Sequence, residues 1–476
     1  MERLSALDAS FLYLESARTP MHISSLAIYD GPPPEDRELV EMLDRRMPLV
    51  PRFRDRLMRV PGGGHRPVWV NDPDFDITAH VQRVRLPAPS ESELMRITGR
   101  LLSQPLCRTR PLWEMWLIEG LRDDRFAVLS KTHHSLWDGV SGVDLHAVLL
   151  DAAPVAPRDD EPKLEWDEIE RAPSRLELIA DALEDRTRES FEFATSVVRA
   201  AADPRRAIRD ITSFARGAGE FARSMIRPAP RSRLNSTVGS RRRYALARGS
   251  LADVKELKQT LGATVNDAIL AAVAGGLREW NEYRGESPQD VRVMVPVSVR
   301  AEEDSTLGNR VAMVVIRLPV TERDPLVRLK LIHSTMHEAK RSGQVAAADA
   351  IVRMSSFLPP AGIAAVTQLQ SRFRAFNLLV TNVPGPQFPL YLLGRRLREL
   401  YPQAPLAANQ GLSVGALTYD GKIGFGVLAD HDLVPDVDVF ALGVERSLRE
   451  ITWAGGRDVG VAPAARVNRE LTLVGN

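Results

Sequence analysis

The sequence predicts an α/β protein built as two halves around a helical connector, on three observations. The chain has 476 residues, room for about three ordinary domains or two large ones. Strand-like and helix-like runs alternate up to about residue 150 and resume from Tyr244, the pattern of sheets covered by helices. Between them the apolar spacing is helical only, fenced by proline-rich segments.

Composition narrows the class. Apolar residues make up 44% and charged residues 26%, which excludes wholesale disorder and allows a sizeable core. Sixty-three basic and 62 acidic residues leave +1, so no global field favours nucleic acid. Cys107 is the only cysteine, excluding an internal disulfide and any multi-cysteine metal site. Met1-Glu2-Arg3-Leu4-Ser5 opens without a basic then apolar signal pattern. The apolar run 268–277 is half a membrane span. A soluble or peripheral protein, kept in the cytoplasm, is expected.

In chain order, 20–30 reads as a strand closed by Gly31-Pro32-Pro33-Pro34, 36–47 as a helix, and 61–64 as a loop. Runs 113–121 and 125–134 read as a hairpin across Arg122-Asp123-Asp124, and 142–150 as a short buried helix. A proline-rich, acidic boundary follows. Leu176, Ile179 and Leu183 fall at i, i+3, i+7, and Ile208, Ile211, Ala215, Ala218, Ala222 and Met225 repeat the spacing, with Asp203-Pro204 breaking the two. From 199 to 243 there are 12 arginines and three acids, a local +9. Beyond, Ser250 caps a helix over 251–261 and Thr264 caps another reaching Trp280. Runs 291–299, 311–318, 376–381 and 422–429 read as strands. The expected division is 1–160, 161–233 and 234–476.

The densest polar cluster in an apolar setting is Lys131-Thr132-His133-His134-Ser135-Leu136-Trp137-Asp138-Gly139. Strand alternation puts Phe126, Val128, Ser130, Thr132 and His134 on one face, with Leu129, Lys131 and His133 on the other. The adjacent histidines should therefore point apart and differ in role. An imidazole, with an ordinary pKa of about 6.5, suits proton abstraction near neutrality. A pair of merely structural histidines is the plain alternative, weakened by the Asp-Gly that follows. A zinc site is poorly served by adjacent histidines, and no Gly-x-Ser-x-Gly elbow is present.

His133-His134-x-x-x-Asp138-Gly139 resembles the HHxxxDG signature of the CoA-dependent acyltransferase superfamily. Further segments narrow the resemblance to the bacterial wax ester synthase/diacylglycerol acyltransferase family: Leu4-Ser5-Ala6-Leu7-Asp8 with Phe11-Leu12, Pro111-Leu112-Trp113-Glu114, Val265-Asn266-Asp267, Val295-Pro296-Val297-Ser298-Val299-Arg300, Leu307-Gly308-Asn309 and Thr381-Asn382-Val383-Pro384-Gly385-Pro386. They occur in family order over nearly the whole chain. One departure is Cys107, where the family's acidic residue is expected.

The resemblance implies two chloramphenicol-acetyltransferase-like α/β domains with an active-site tunnel between them, and acyl transfer from acyl-CoA to a lipid alcohol. Diacylglycerol is the favoured acceptor and a long-chain alcohol, giving wax esters, the close second. No cofactor is implied, acyl-CoA being a substrate. His134 is then the general base, His133 a support, Asp138 a structural aspartate and Gly139 a turn residue. Thr381 and Asn382 are candidate oxyanion donors, beside the plainer reading of turn capping. Asn266 and Asp267 match an activity-linked motif, although Asp267 also suits a helix N-terminus. Pro111, Leu112, Trp113 and Trp137 are candidate channel walls, or simply core. A water-insoluble acceptor and the +9 stretch together predict a peripheral position on the inner membrane face or a lipid droplet. Two rivals remain: a condensation-type enzyme, favoured by transfer from an acylated carrier protein only, and a non-catalytic lipid-binding relative, excluded by measurable CoA release.

Overall fold

The computed structural model describes residues 1–136, 149–154, 171–202, 228–298, 311–341, 361–365 and 374–457. Fifteen strands are placed: β1 Glu2–Arg3, β2 His22–Tyr29, β3 Asp55–Met58, β4 Val68–Asn71, β5 Val81–Arg85, β6 Trp113–Glu119, β7 Phe126–His133, β8 Arg242–Ser250, β9 Val291–Ser298, β10 Val311–Leu318, β11 Leu378–Pro384, β12 Tyr391–Leu392, β13 Arg395–Gln403, β14 Leu412–Tyr419 and β15 Lys422–Asp430. Helices among the described residues include α1 Ala6–Leu14, α2 Asp36–Arg46, α3 Glu91–Leu102, α4 Arg175–Ala202, α5 Leu251–Leu261, α6 Val265–Tyr283, α7 Pro325–Arg341 and α8 Val437–Arg457.

The strands form two six-stranded mixed sheets and a small three-stranded one. The first sheet runs β12-β13-β2-β7-β6-β5, and the second β10-β9-β11-β14-β15-β8. Most neighbours are antiparallel; β5 runs parallel to β6, and β11 parallel to both β9 and β14. The predicted hairpin is β6–β7, turning at Arg122–Asp124. The expected caps are in place: the Ser250 and Thr264 side chains accept from the third residue of their helices. The apolar run 268–277 is the buried core of α6. Gly275 and Gly276 let that helix pack against Val444 and Ser447 of α8 without a Cβ in the way. No single helix among the described residues is long and apolar enough to cross a membrane.

Sheet membership does not follow the chain order. Strands β12 and β13, from the C-terminal part of the sequence, extend the N-terminal sheet, with β13 pairing along β2 from Leu397↔Tyr29 to Gln403↔Ser24. Pairing partners hundreds of residues apart leave no local signal in the sequence. The close fit is visible in glycine: a Cβ on Gly424 or Gly426 of β15 would collide with the Leu400 or Pro402 carbonyl of β13, and one on Gly415 of β14 would lie 2.8 Å from Pro402 O. The two sheets thus meet at backbone distance. Leu417 and Tyr419 of β14 belong to the same apolar cluster as Leu12, Trp113 and Leu136 of the first half.

The long helix α4 is described as far as Ala202, and the expected break at Asp203-Pro204 lies outside the described residues. It docks on the small sheet through Leu178, which clusters with Val68 and Val70, and through ion pairs from Arg3 to Asp181 and Asp185. The periodic Leu176, Ile179 and Leu183 face solvent instead, 79, 39 and 60% exposed. The second half of the connector pattern, from Ile208 to Met225, lies outside the described residues, as does most of the expected helix over 142–150.

Candidate active site

Strand β7 is central in the first sheet, and all eight of its residues are buried. Its two faces serve different cores, as alternation requires: Phe126 and Val128 join one cluster, Ala127 and Leu129 the other. The adjacent histidines part at the strand's end. His133 closes the strand and His134 opens a single 3₁₀ turn, His134–Leu136. Their backbones are held from opposite sides, His133 N–H donating to Leu112 O (2.9 Å) and His134 N–H to Met21 O (2.9 Å).

The ring of His134 stacks on Phe11 of α1, centroids 3.7 Å apart and planes 12° from parallel. Its Nδ1 is sealed from solvent and has no hydrogen-bond partner among the described residues. Loss of solvation pushes its pKa down to about 4 against the pull of its own carbonyl. The imidazole is therefore neutral at physiological pH, the form a base requires. Its titration moves well below the neutral range expected from an ordinary histidine.

His133 is fully buried and firmly held. The Ser135 backbone N–H, which can only donate, reaches His133 Nδ1 at 3.1 Å, and Ser135 Oγ lies 2.6 Å from the same atom. The ring proton is therefore on Nε2, which faces Glu15 Oε1 at 3.6 Å, a contact longer than a hydrogen bond. Glu15 also accepts from Met21 N–H (3.1 Å) and pairs with Arg108. Burial would raise the Glu15 pKa, but His133, Arg108 and the Met21 amide outweigh it and hold the carboxyl at about 2. On the same face Lys131 is wholly buried, its Nζ bonding Gln104 O (2.9 Å) and Glu114 Oε2 (3.2 Å). Desolvation lowers its pKa, and that of His22 much further, since His22 sits opposite His133 with Lys131 nearby.

The other expected residues are dispersed. Trp137, Asp138 and Gly139 lie outside the described residues. Leu112 and Trp113 are buried, with Trp113 stacked on His80 (4.4 Å) and its indole N–H on Phe53 O (2.8 Å), a core placement. Pro111 is buried beside them. Asp267 is committed to the fold: it completes the Thr264 capping box and accepts from His333 Nδ1 at 2.8 Å. Asn266 is half-buried in the same first turn. Thr381 and Asn382 stand on β11 where its pairing with β9 has stopped, after Leu379↔Met294, while pairing with β14 continues to Pro384↔Thr418. Asn382 Oδ1 is buried and has no hydrogen-bond partner among the described residues. No described hydrogen bond or ring contact links either residue to His134. At the Cys107 departure, Arg108 finds its acid in Glu15. Glu15 itself was missed from sequence; its only signal is an acid just past an apolar helix.

The chain matches the wax ester synthase/diacylglycerol acyltransferase catalytic domain over residues 4–269 and the corresponding C-terminal domain over 307–452. It belongs to this family. The probable diacylglycerol O-acyltransferases tgs1 and tgs2 of Mycobacterium tuberculosis are each 34% identical to it, over 95% of this chain and 96% of tgs1, and over 96% of this chain and 100% of tgs2. The solved wax ester synthase/diacylglycerol acyltransferase from Marinobacter aquaeolei VT8 is 26% identical, covers 95% of this chain and 100% of its own, and superposes with a TM-score of 0.65. The first condensation domain of the calcium-dependent antibiotic synthetase, 15% identical, shares the fold with a TM-score of 0.57 over 95% of this chain and 96% of its own. The chloramphenicol-acetyltransferase-like two-domain architecture expected from the motifs is thereby shown, and the chain is an acyltransferase of this family.

Proposed function

We propose that this family member moves a long-chain acyl group from acyl-CoA to diacylglycerol, forming triacylglycerol, with His134 as general base. The observation that carries the reading is the placement of His134: a neutral imidazole in a turn at the end of the central strand, its backbone and one ring face fixed, and Nδ1 sealed so that Nε2 is left to meet substrate. The relatives' names support the acceptor.

In this reading the alcohol oxygen attacks the thioester carbonyl while Nε2 takes the hydroxyl proton. The tetrahedral oxyanion then collapses, the C–S bond breaks, and the imidazolium returns the proton to the departing CoA sulfur. Ester and CoA–SH result, with no covalent enzyme intermediate. A depressed pKa makes His134 a weaker base but a stronger acid for that last step, and general-base assistance is worth about 10²–10⁴-fold. The oxyanion requires donors about 2.7–3.1 Å away, for which Thr381 and Asn382 remain the candidates; the tunnel between halves would bring the two substrates together. Wax ester formation is the second reading, favoured by the name of the Marinobacter neighbour.

Association with an anionic membrane or droplet surface belongs to the same proposal. Leu176, Ile179 and Leu183 present an apolar stripe to solvent, and the arginine-rich stretch follows in sequence. Each basic residue near such a surface contributes on the order of 1 kcal/mol, reduced by salt.

Incubating the protein with palmitoyl-CoA and a panel of diacylglycerol, hexadecanol and short alcohols, followed by lipid chromatography, tests the acceptor. Triacylglycerol as main product supports the reading, and wax ester alone moves it to the second. No CoA release with any acceptor contradicts both. Replacing Arg205, Arg206, Arg209 and Arg216 with glutamine should weaken sedimentation with anionic liposomes and spare CoA release with a soluble alcohol. Indifference of the unaltered protein to such liposomes at low salt would contradict the surface role.

A further inference from the structure

We propose that Glu15 is a positioning residue for His134, acting through the loop 15–21 that it anchors. The proposal rests on the reading of His134 as base. Three supports of that histidine converge on this one residue, two of them on its buried carboxylate. Glu15 accepts the Met21 N–H at 3.1 Å, and the Met21 carbonyl in turn accepts the His134 N–H at 2.9 Å. Glu15 faces Nε2 of His133, whose other nitrogen grips Ser135 inside the turn that carries His134. The backbone N–H of Glu15 closes α1 on the Phe11 carbonyl (3.1 Å), and the Phe11 ring is the surface on which His134 stacks. Backbone, neighbouring turn and ring face are thus fixed together.

The same loop is held from the second half of the molecule. Arg242, at the start of β8, donates to the Arg18 carbonyl, and its own N–H bonds Ser103 Oγ at 2.9 Å. Closure of the two halves and placement of the base are mechanically one feature.

A carboxylate that merely ended a helix would not need to be charged, because that bond is made by its backbone. Burying an ion is costly unless it is paired, and Glu15 is paired with Arg108 at the rim and faces the His133 ring inside. Its charge draws the Met21 amide, Arg108 and the His133 ring toward one carboxylate, which a neutral amide can only partly do.

Glu15→Gln, Arg108→Gln and the double variant, prepared in the full chain beside the unaltered protein and His134→Ala, separate the possibilities. Activity is read as CoA release from palmitoyl-CoA with a soluble alcohol, with kcat, KM and melting temperature measured on each. CoA release by the unaltered protein and its loss in His134→Ala secure the base independently, so failure of that reading is distinguishable from failure of this one. Glu15→Gln should lower kcat on the order of 100-fold, the scale of a misplacement near 1 Å, with KM changed less than about threefold. Arg108→Gln should lower it about tenfold, and the double variant should be no better than Glu15→Gln. A folded Glu15→Gln protein with nearly full kcat overturns the proposal. So does a double variant restored to normal, which would trace the loss to an unpaired Arg108. Should Glu15→Gln not fold, Arg108→Gln decides, its side chain being 36% exposed: unchanged kcat there overturns the proposal.

Discussion

Strands β7 and β14 occupy comparable places, each eight residues long, each inside a six-stranded sheet, each buried throughout. Their contents differ. β14 carries Ser413, Thr418 and Tyr419, each bonded to a neighbouring backbone group: Ser413 Oγ donates to Ala404 O (2.7 Å), Tyr419 OH to Leu397 O (3.1 Å), and Thr418 Oγ1 accepts from Gly385 N–H (3.2 Å). β7 carries Lys131 and His133, and leads straight into His134. A buried cation costs stability that a Val or Leu would not, unless it is paired and hydrogen-bonded. β14 therefore serves as scaffold, whereas β7 keeps ionisable groups beside the proposed base.

That contrast can be broken at the seam. Gly426→Val would drive a side chain into the Pro402 carbonyl and the Tyr244 hydroxyl, where the sheets touch backbone to backbone. It should yield little soluble folded protein, seen as loss of a cooperative melting transition. Leu412→Ala, in the apolar strand, should cost about 2–5 kcal/mol in denaturant unfolding while leaving kcat per folded molecule unchanged.

Acid sharpens the comparison further. The folded pKa of His134, about 4, lies below the ordinary 6.5, so the unfolded chain binds the extra proton first. Its stabilising contribution is complete above pH 6.5 and is lost as pH falls toward 4, by up to about 3 kcal/mol. Glu15 adds a second loss from about pH 4.5 down to 2. Urea unfolding against pH should therefore be less steep between 6.5 and 4 for His134→Ala than for the unaltered protein, the remainder coming from His22 and His80, also depressed by burial. The smallest effect is expected from Lys131→Met: Glu114 keeps 24% exposure and can hydrate, so stability should drop by only about 1–3 kcal/mol in the same assay.

Much of this was legible in sequence. The strands expected over 291–299, 311–318 and 422–429 and the Ser250 and Thr264 caps follow from local pattern, and over the described residues the structure has strands and caps there. The parting of His133 from His134 followed from strand period, even though His134 itself sits in a turn. Strand β13 was not legible, because Arg395-Arg396-Leu397-Arg398-Glu399 reads as polar and its partner β2 is far away in the chain. The exposure of Leu176, Ile179 and Leu183 was not legible either, since periodicity reports a stripe and not which side is covered. Glu15 escaped for the reason β13 did: its meaning depends on what folding brings beside it.

The central claim is that His134 takes the alcohol's proton. Its most direct test is the rate of CoA release by His134→Ala, with palmitoyl-CoA and an alcohol acceptor, beside a melting curve of the same preparation. A loss of about 10²–10⁴-fold is expected, in a protein that still unfolds cooperatively near the normal temperature. Retention of most of the activity by that folded variant would contradict it.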